Sequence, residues 1–143
     1  MAFEEKINSE YKDRLFKWIF RDRGDLLQLY NAVNNTDYGN PEDLEINTIE
    51  DVVYLKMKND VSFLMKDILN LYEHQSTFSP NLPLRGFLYF ADLYRKVIGN
   101  QRDIYSSRLI PLPFPQFVVF YNGKQNEPER QVLSMSDAYP EGC

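Results

Sequence analysis

Apolar positions in the first part of the chain recur at helical spacing. In "SEYKDRLFKWIF", Tyr11, Leu15, Phe16, Trp18, Ile19 and Phe20 fill one broad arc at about 100° per residue, and Ser9 is placed to cap a helix running to Phe20. Asp13 falls at the edge of that arc beside Phe16 and Phe20, while Arg14, Lys17 and Arg21 face away. Lys12 lies inside it, an inconsistency that snorkelling of its long stem relieves. The spacing predicts a second helix over "DLLQLYNAVNN" (Asp25 to Asn35), stopped by the breaker-rich "NTDYGNPED".

From Leu44 the period changes to two. "LEINTI" alternates, "VVYLKMK" is rich in β-formers, and the stretch from Asn59 to about Thr77 reads as a hairpin. "SPNLP" ends it. A helix is expected from Leu84 to Ile98, with Phe87, Leu88, Ala91, Leu93, Tyr94 and Val97 available for burial. The proline-rich "IPLPFP" cannot be a central strand; it feeds "QFVVFYNG" (Gln116 to Gly123), an apolar run that reads as a buried strand closed by an Asn-Gly turn. Helices, strands, helix, strand is the order of an α/β (α+β) sandwich, since a helix between hairpin and last strand permits a crossover.

The hairpin carries an acid in each half. A two- or four-residue loop centred on Lys66 and Asp67 brings Asp60 opposite Glu73 and Lys58 opposite Gln75, all four on one face. Like charges directly opposed at about 4.5–5.5 Å destabilise a strand pair. A cation between the acids removes that cost, and Mg²⁺, which takes one or two carboxylates and completes its shell with water and phosphate oxygens, suits the pattern. Two other outcomes stay open. A three-residue loop shifts the register by one and turns the acids to opposite faces, and two acids in an amphipathic hairpin also make an ordinary solvated face. Leu69 and Leu71, on the same face as Glu73, give that face an apolar end and an acidic end, as at the mouth of a cleft.

Composition narrows the classes. The chain has 143 residues, 43% hydrophobic, with ten Tyr, ten Phe and one Trp, enough for one packed domain over residues 1–143, whole or the N-terminal part of something longer. No apolar run approaches the ~20 residues of a membrane span, the first residues lack a secretory pattern, and Cys143 is the single cysteine, so a reducing, cytoplasmic setting is expected. The net charge of −5 is not that of a generally basic nucleic-acid binder, though a local basic patch remains compatible with it. His74 is the only histidine, which leaves no His-rich metal cluster. Neither G-x-x-x-x-G-K-[ST] nor G-x-G-x-x-G occurs.

With "YKDRLFKWIF", "EINTIED", "KNDVSFL", "NLYEHQSTFSPNLPLR", "FLYFADLYRKVI" and "LPFPQFVVFYNG" in view, the chain resembles the PD-(D/E)XK nuclease superfamily over nearly its whole length. The nearer likeness is to the recombination-promoting nuclease and transposase branch. The resemblance implies a restriction-endonuclease-like core, a mixed sheet flanked by helices, and metal-dependent hydrolysis of DNA, with RNA as another substrate class and a homodimer as one assembly. It makes Asp60 and Glu73 the similar metal-binding acids, with Mg²⁺ (or Mn²⁺) as cofactor and the His74 backbone carbonyl as a further ligand. Gln75 stands where Lys is commonest, an ending typical of this branch. A Gln has no positive charge; it orients a water or phosphate, and Lys58 is placed to supply the missing charge. Asp13 matches an accessory acid on the opening helix, against a plain surface role near a helix start. Arg85 is placed to contact phosphate, against an ion pair between elements. His74 itself points away from Glu73 by alternation. The competing expectation is a catalytically degenerate module of this fold that binds nucleic acid or protein.

Overall fold

The computed structural model describes residues 14–16, 18–46 and 60–142. Helix α1 (Arg23–Asn34) starts two residues before the expected Asp25, because the Asp22 side chain accepts a hydrogen bond from the Asp25 backbone and caps the first turn. It stops at Asn35, which takes the left-handed conformation (φ 54°) and donates its N–H to the Asn31 carbonyl. Strand β1 (Leu44–Ile46) is the described part of the alternating "LEINTI"; the "VVYLKMK" stretch lies outside the described residues.

The hairpin is β2 (Asp60–Met65) and β3 (Ile68–Gln75), joined by the two-residue turn Lys66–Asp67. Its register pairs Met65 with Ile68 and Asp60 with Glu73, so the even-loop alternative is the one adopted. Lys66 has φ 54°, and its ammonium lies 4.2 Å from the centroid of the Tyr38 ring.

Helix α2 (Leu82–Ile98) carries the chain over the sheet to β4 (Phe114–Tyr121), which runs parallel to β3. The result is a four-stranded mixed sheet in the order β1-β2-β3-β4. Proline is tolerated at Pro115 because, among the described strands, β4 ends that order and one of its sides has no ladder to feed. The same position corrects the expectation of a buried last strand. From Gln116 to Tyr121 the residues are only half-buried, because an edge strand is covered less than a central one.

Alternation sends the strands' side chains to two cores. Val61, Phe63, Met65 and Tyr72 join Phe20, Leu44 and the α1 residues Leu26, Leu27 and Tyr30 on one face. Leu69 and Leu71 pack against Phe90 and Leu93 of α2 on the other, with Leu64 and Phe117 at the margin. A sheet covered by a helix on each face is the α/β arrangement expected from the sequence.

The helices select their buried faces differently from the apolar arcs. Of the positions expected to offer burial, Leu93 is buried and Tyr94 packs against the same core, while Phe87, Leu88 and Val97 are exposed; Leu82, Gly86 and Phe90 are the other buried residues of the helix. Gly86 decides this, since a Cβ there would come within 2.5 Å of the Phe117 ring. The one residue without a side chain is the one that can sit closest to β4. In the opening segment Phe16, Ile19 and Phe20 pack inward while Leu15 and Trp18 are exposed, so the broad arc narrows. No helix among the described residues is long and apolar enough to cross a membrane.

Candidate active site

Glu73 lies near the C-terminal end of β3, on the face covered by α2, and is 2% exposed. A buried carboxylate is costly unless its charge and lone pairs are met. Two elements supply the partners. Arg85, in the first turn of α2, places Nη2 2.6 Å from Glu73 Oε1. Gln75, two residues along β3 and therefore on the same face, also donates its side-chain amide to Oε1. Oε2 accepts no hydrogen bond among the described residues. Among the described residues, one carboxylate oxygen is thus anchored twice and the other has no donor.

Arg85 is the bridge between α2 and the strand. Its Nη2 also lies 3.4 Å from the Tyr89 hydroxyl one helical turn on, and the guanidinium stands 5.9 Å from the Tyr89 ring centroid. Burial by itself pulls the Arg85 pKa down; the hydrogen bond to Tyr89 and the charge of Glu73 outweigh it and hold the group above its ordinary value. The side chain is 29% exposed, so Arg85 lies at the rim and Glu73 beneath it.

The ladder sets Asp60 at the register position opposite Glu73, as the hairpin reading required; the Asp60 side chain lies outside the described residues, as do Lys58 and Asp13. His74 faces the other way. Its ring stacks on Phe16 with centroids 4.6 Å apart and planes 10° from parallel, a packing role in the α1-side core. The His74 backbone is paired in the ladder opposite Phe120. Structure therefore brings Glu73, Gln75 and Arg85 into direct contact and places the Asp60 backbone beside them.

Among the described residues, no group of three or more His, Cys, Asp or Glu gathers to hold a metal ion. What is described is one buried carboxylate, Glu73, with one oxygen that has no partner among the described residues. Carboxylate oxygen is the donor chemistry of a hard divalent cation that keeps most of its water, so these residues fit Mg²⁺ or Mn²⁺.

One buried polar residue on this face escaped the sequence reading. Ser62, two residues beyond Asp60, is 1% exposed. Its signal was present in "DVSFLM", where a small hydroxyl occupies a position that alternation assigns to the α2 core. Compared with family models, curated proteins and solved structures, the chain matches none.

Proposed function

We propose that this chain is a metal-dependent endonuclease-like protein of the cytoplasm, hydrolysing phosphodiester bonds of DNA. The observation that carries the reading is Glu73. A carboxylate only 2% exposed, with Oε1 held by Arg85 and Gln75 and Oε2 unpartnered among the described residues, sits in register with a second acid, Asp60. A cation site would use the oxygen that the protein donors leave open.

In this reading Asp60 and Glu73 are the cation's protein ligands, with the His74 carbonyl as a further ligand. Bound Mg²⁺ supplies an activated water and offsets charge on the scissile phosphate. Gln75 fixes the Glu73 carboxylate through one amide N–H, and its second N–H and carbonyl oxygen remain to orient a water or phosphate. Arg85 stands at the rim, where a bidentate guanidinium meets a phosphate oxygen pair. Lys58 supplies additional positive charge, Asp13 is an accessory acid, and a homodimer delivers two cuts. RNA is the alternative substrate of the same chemistry.

Plasmid nicking is the direct test. Supercoiled DNA with Mg²⁺ or Mn²⁺ is expected to be cut by the wild type and not by Glu73→Ala or Asp60→Ala. Equal cutting by wild type and Glu73→Ala would defeat the mechanism, because the activity would then come from a contaminant. The net charge of −5 further implies that DNA binding is modest, and because it rests on cationic contacts to phosphate it weakens as salt is raised, which a filter-binding series would read.

A second reading rests on the same contact. With Arg85 2.6 Å from Glu73 and Gln75 where the resembled families most often carry Lys, the site is close to charge-neutral without a cation. That suits a degenerate module that keeps the fold and binds nucleic acid or protein. For such a module, Mg²⁺ titration would give no binding to the wild type or any variant.

A further inference from the structure

Ser62 and Glu73 pose one problem twice. Ser62 Oγ and Glu73 Oε2 are both buried, and neither has a hydrogen-bond partner among the described residues. Burying one polar atom without a partner is unfavourable; burying two on the same face calls for a reason.

The register shows that they are neighbours. Ser62 pairs with Leu71, and Glu73 is the next residue along β3 on that face. Leu64, two residues after Ser62, packs with Leu69, Leu71, Phe90 and Leu93, whereas Val61 and Phe63 belong to the opposite core. Ser62 therefore points under α2, as Glu73 does. Diagonal neighbours on one face of an antiparallel pair are separated by about 7–8 Å at the backbone and somewhat less at Cβ. That spacing, with both oxygens lacking a partner among the described residues, is of the order a single bridging water spans.

The geometry points to Ser62 as a positioning residue for the cation site: its hydroxyl accepts a hydrogen bond from a water ligand of the ion that Glu73 holds. The inference rests on the proposed metal-dependent reading and adds to it a residue outside the two acids and the glutamine. Mg²⁺ dehydrates reluctantly and keeps several waters, so a neighbouring hydroxyl acts on the ion through one of them. Ser62 also explains why a hydroxyl sits where packing alone would select alanine or a larger apolar residue.

Metal binding separates this from a packing role. Thermal unfolding and calorimetric titration with Mg²⁺ and with Mn²⁺ are compared for wild type, Ser62→Ala and Glu73→Gln. Without metal, Ser62→Ala should unfold at the wild-type temperature or above it, because an unpartnered hydroxyl has been removed. With metal, its affinity should fall by about 10-fold or more, and the metal-induced rise in unfolding temperature should shrink accordingly. An unchanged metal affinity in Ser62→Ala, with Glu73→Gln abolishing the binding, overturns the role of Ser62 and leaves the metal-dependent reading standing. Absence of any metal-induced change in the wild type overturns both.

Discussion

At the scale of single residues, the Glu73–Arg85 pair is the contact on which the site turns. The two partners are unequally buried, 2% for the Glu73 side chain and 29% for that of Arg85. Removing the better solvated partner is therefore the more damaging change. Arg85→Met strands a buried carboxylate and should cost roughly 3 kcal/mol in urea unfolding, toward the lower end of what breaking a buried pair costs because the Arg85 head already reaches water. Glu73→Gln should cost less, since the freed guanidinium can turn outward to solvent. Equal losses in the two variants would mean that the carboxylate is solvated after all. The sequence made both residues candidates but left Arg85 divided between phosphate contact and ion pair. The choice depends on where α2 lies across the sheet, and spacing within α2 says nothing of that.

At the scale of elements, two local features place the parts of the site. Gly86 lets α2 settle against Phe117, which brings Arg85, its neighbour in the helix, over Glu73. Gly86→Ala should favour the isolated helix by about 1 kcal/mol and yet destabilise the protein by roughly 1–3 kcal/mol through overpacking. A stability measurement showing a net gain would mean that the helix can lift from β4 without loss. The hairpin turn is the other feature. Lys66 occupies the left-handed region at φ 54°, a conformation that is hardest on β-branched residues. Lys66→Val should lose roughly 2 kcal/mol from backbone strain and the missing contact to Tyr38 together, read as a lower urea midpoint at unchanged slope. The hairpin was legible because an apolar pattern of period two admits few registers, and the correct one also brought its acids together. The buried side of α2 was legible only in part, at Leu93 and Tyr94, because its apolar residues surround the helix and a glycine rather than a large side chain chose the contact.

At the scale of the whole molecule, aromatic packing ties the layers together and sets a limit on the alkaline side. Tyr30, Phe63, Tyr72 and Phe120 form a chain of ring contacts from α1 across three strands. Burial pushes the Tyr72 phenol well above its ordinary value, and burial with the neighbouring Tyr38 raises Tyr30. A phenol whose folded-state pKa is raised keeps its proton when the unfolded chain has lost it. Its stability contribution is therefore intact below about pH 10 and is lost as pH climbs toward the folded value. Alkaline unfolding, followed by tyrosinate absorbance and circular dichroism, should begin above about pH 10, and Tyr72→Phe should flatten the dependence. A wild-type stability that stays level from pH 10 to 12 would show these phenols to be solvated. By itself the sequence determined the alternation of helix and strand in the described segments and the mixed α/β class, and it narrowed the hairpin to registers set by turn length, because periodicity and turn position act within a few residues of chain; the structure chose the two-residue turn. Only the tertiary structure decided that β4 lies at the end of the strand order, that Gly86 rather than Phe87 or Leu88 meets the sheet, and that Arg85 closes over Glu73. Those outcomes depend on distances between segments far apart in the chain, where close packing and the cost of an unpaired buried charge select among faces that the local pattern leaves equivalent.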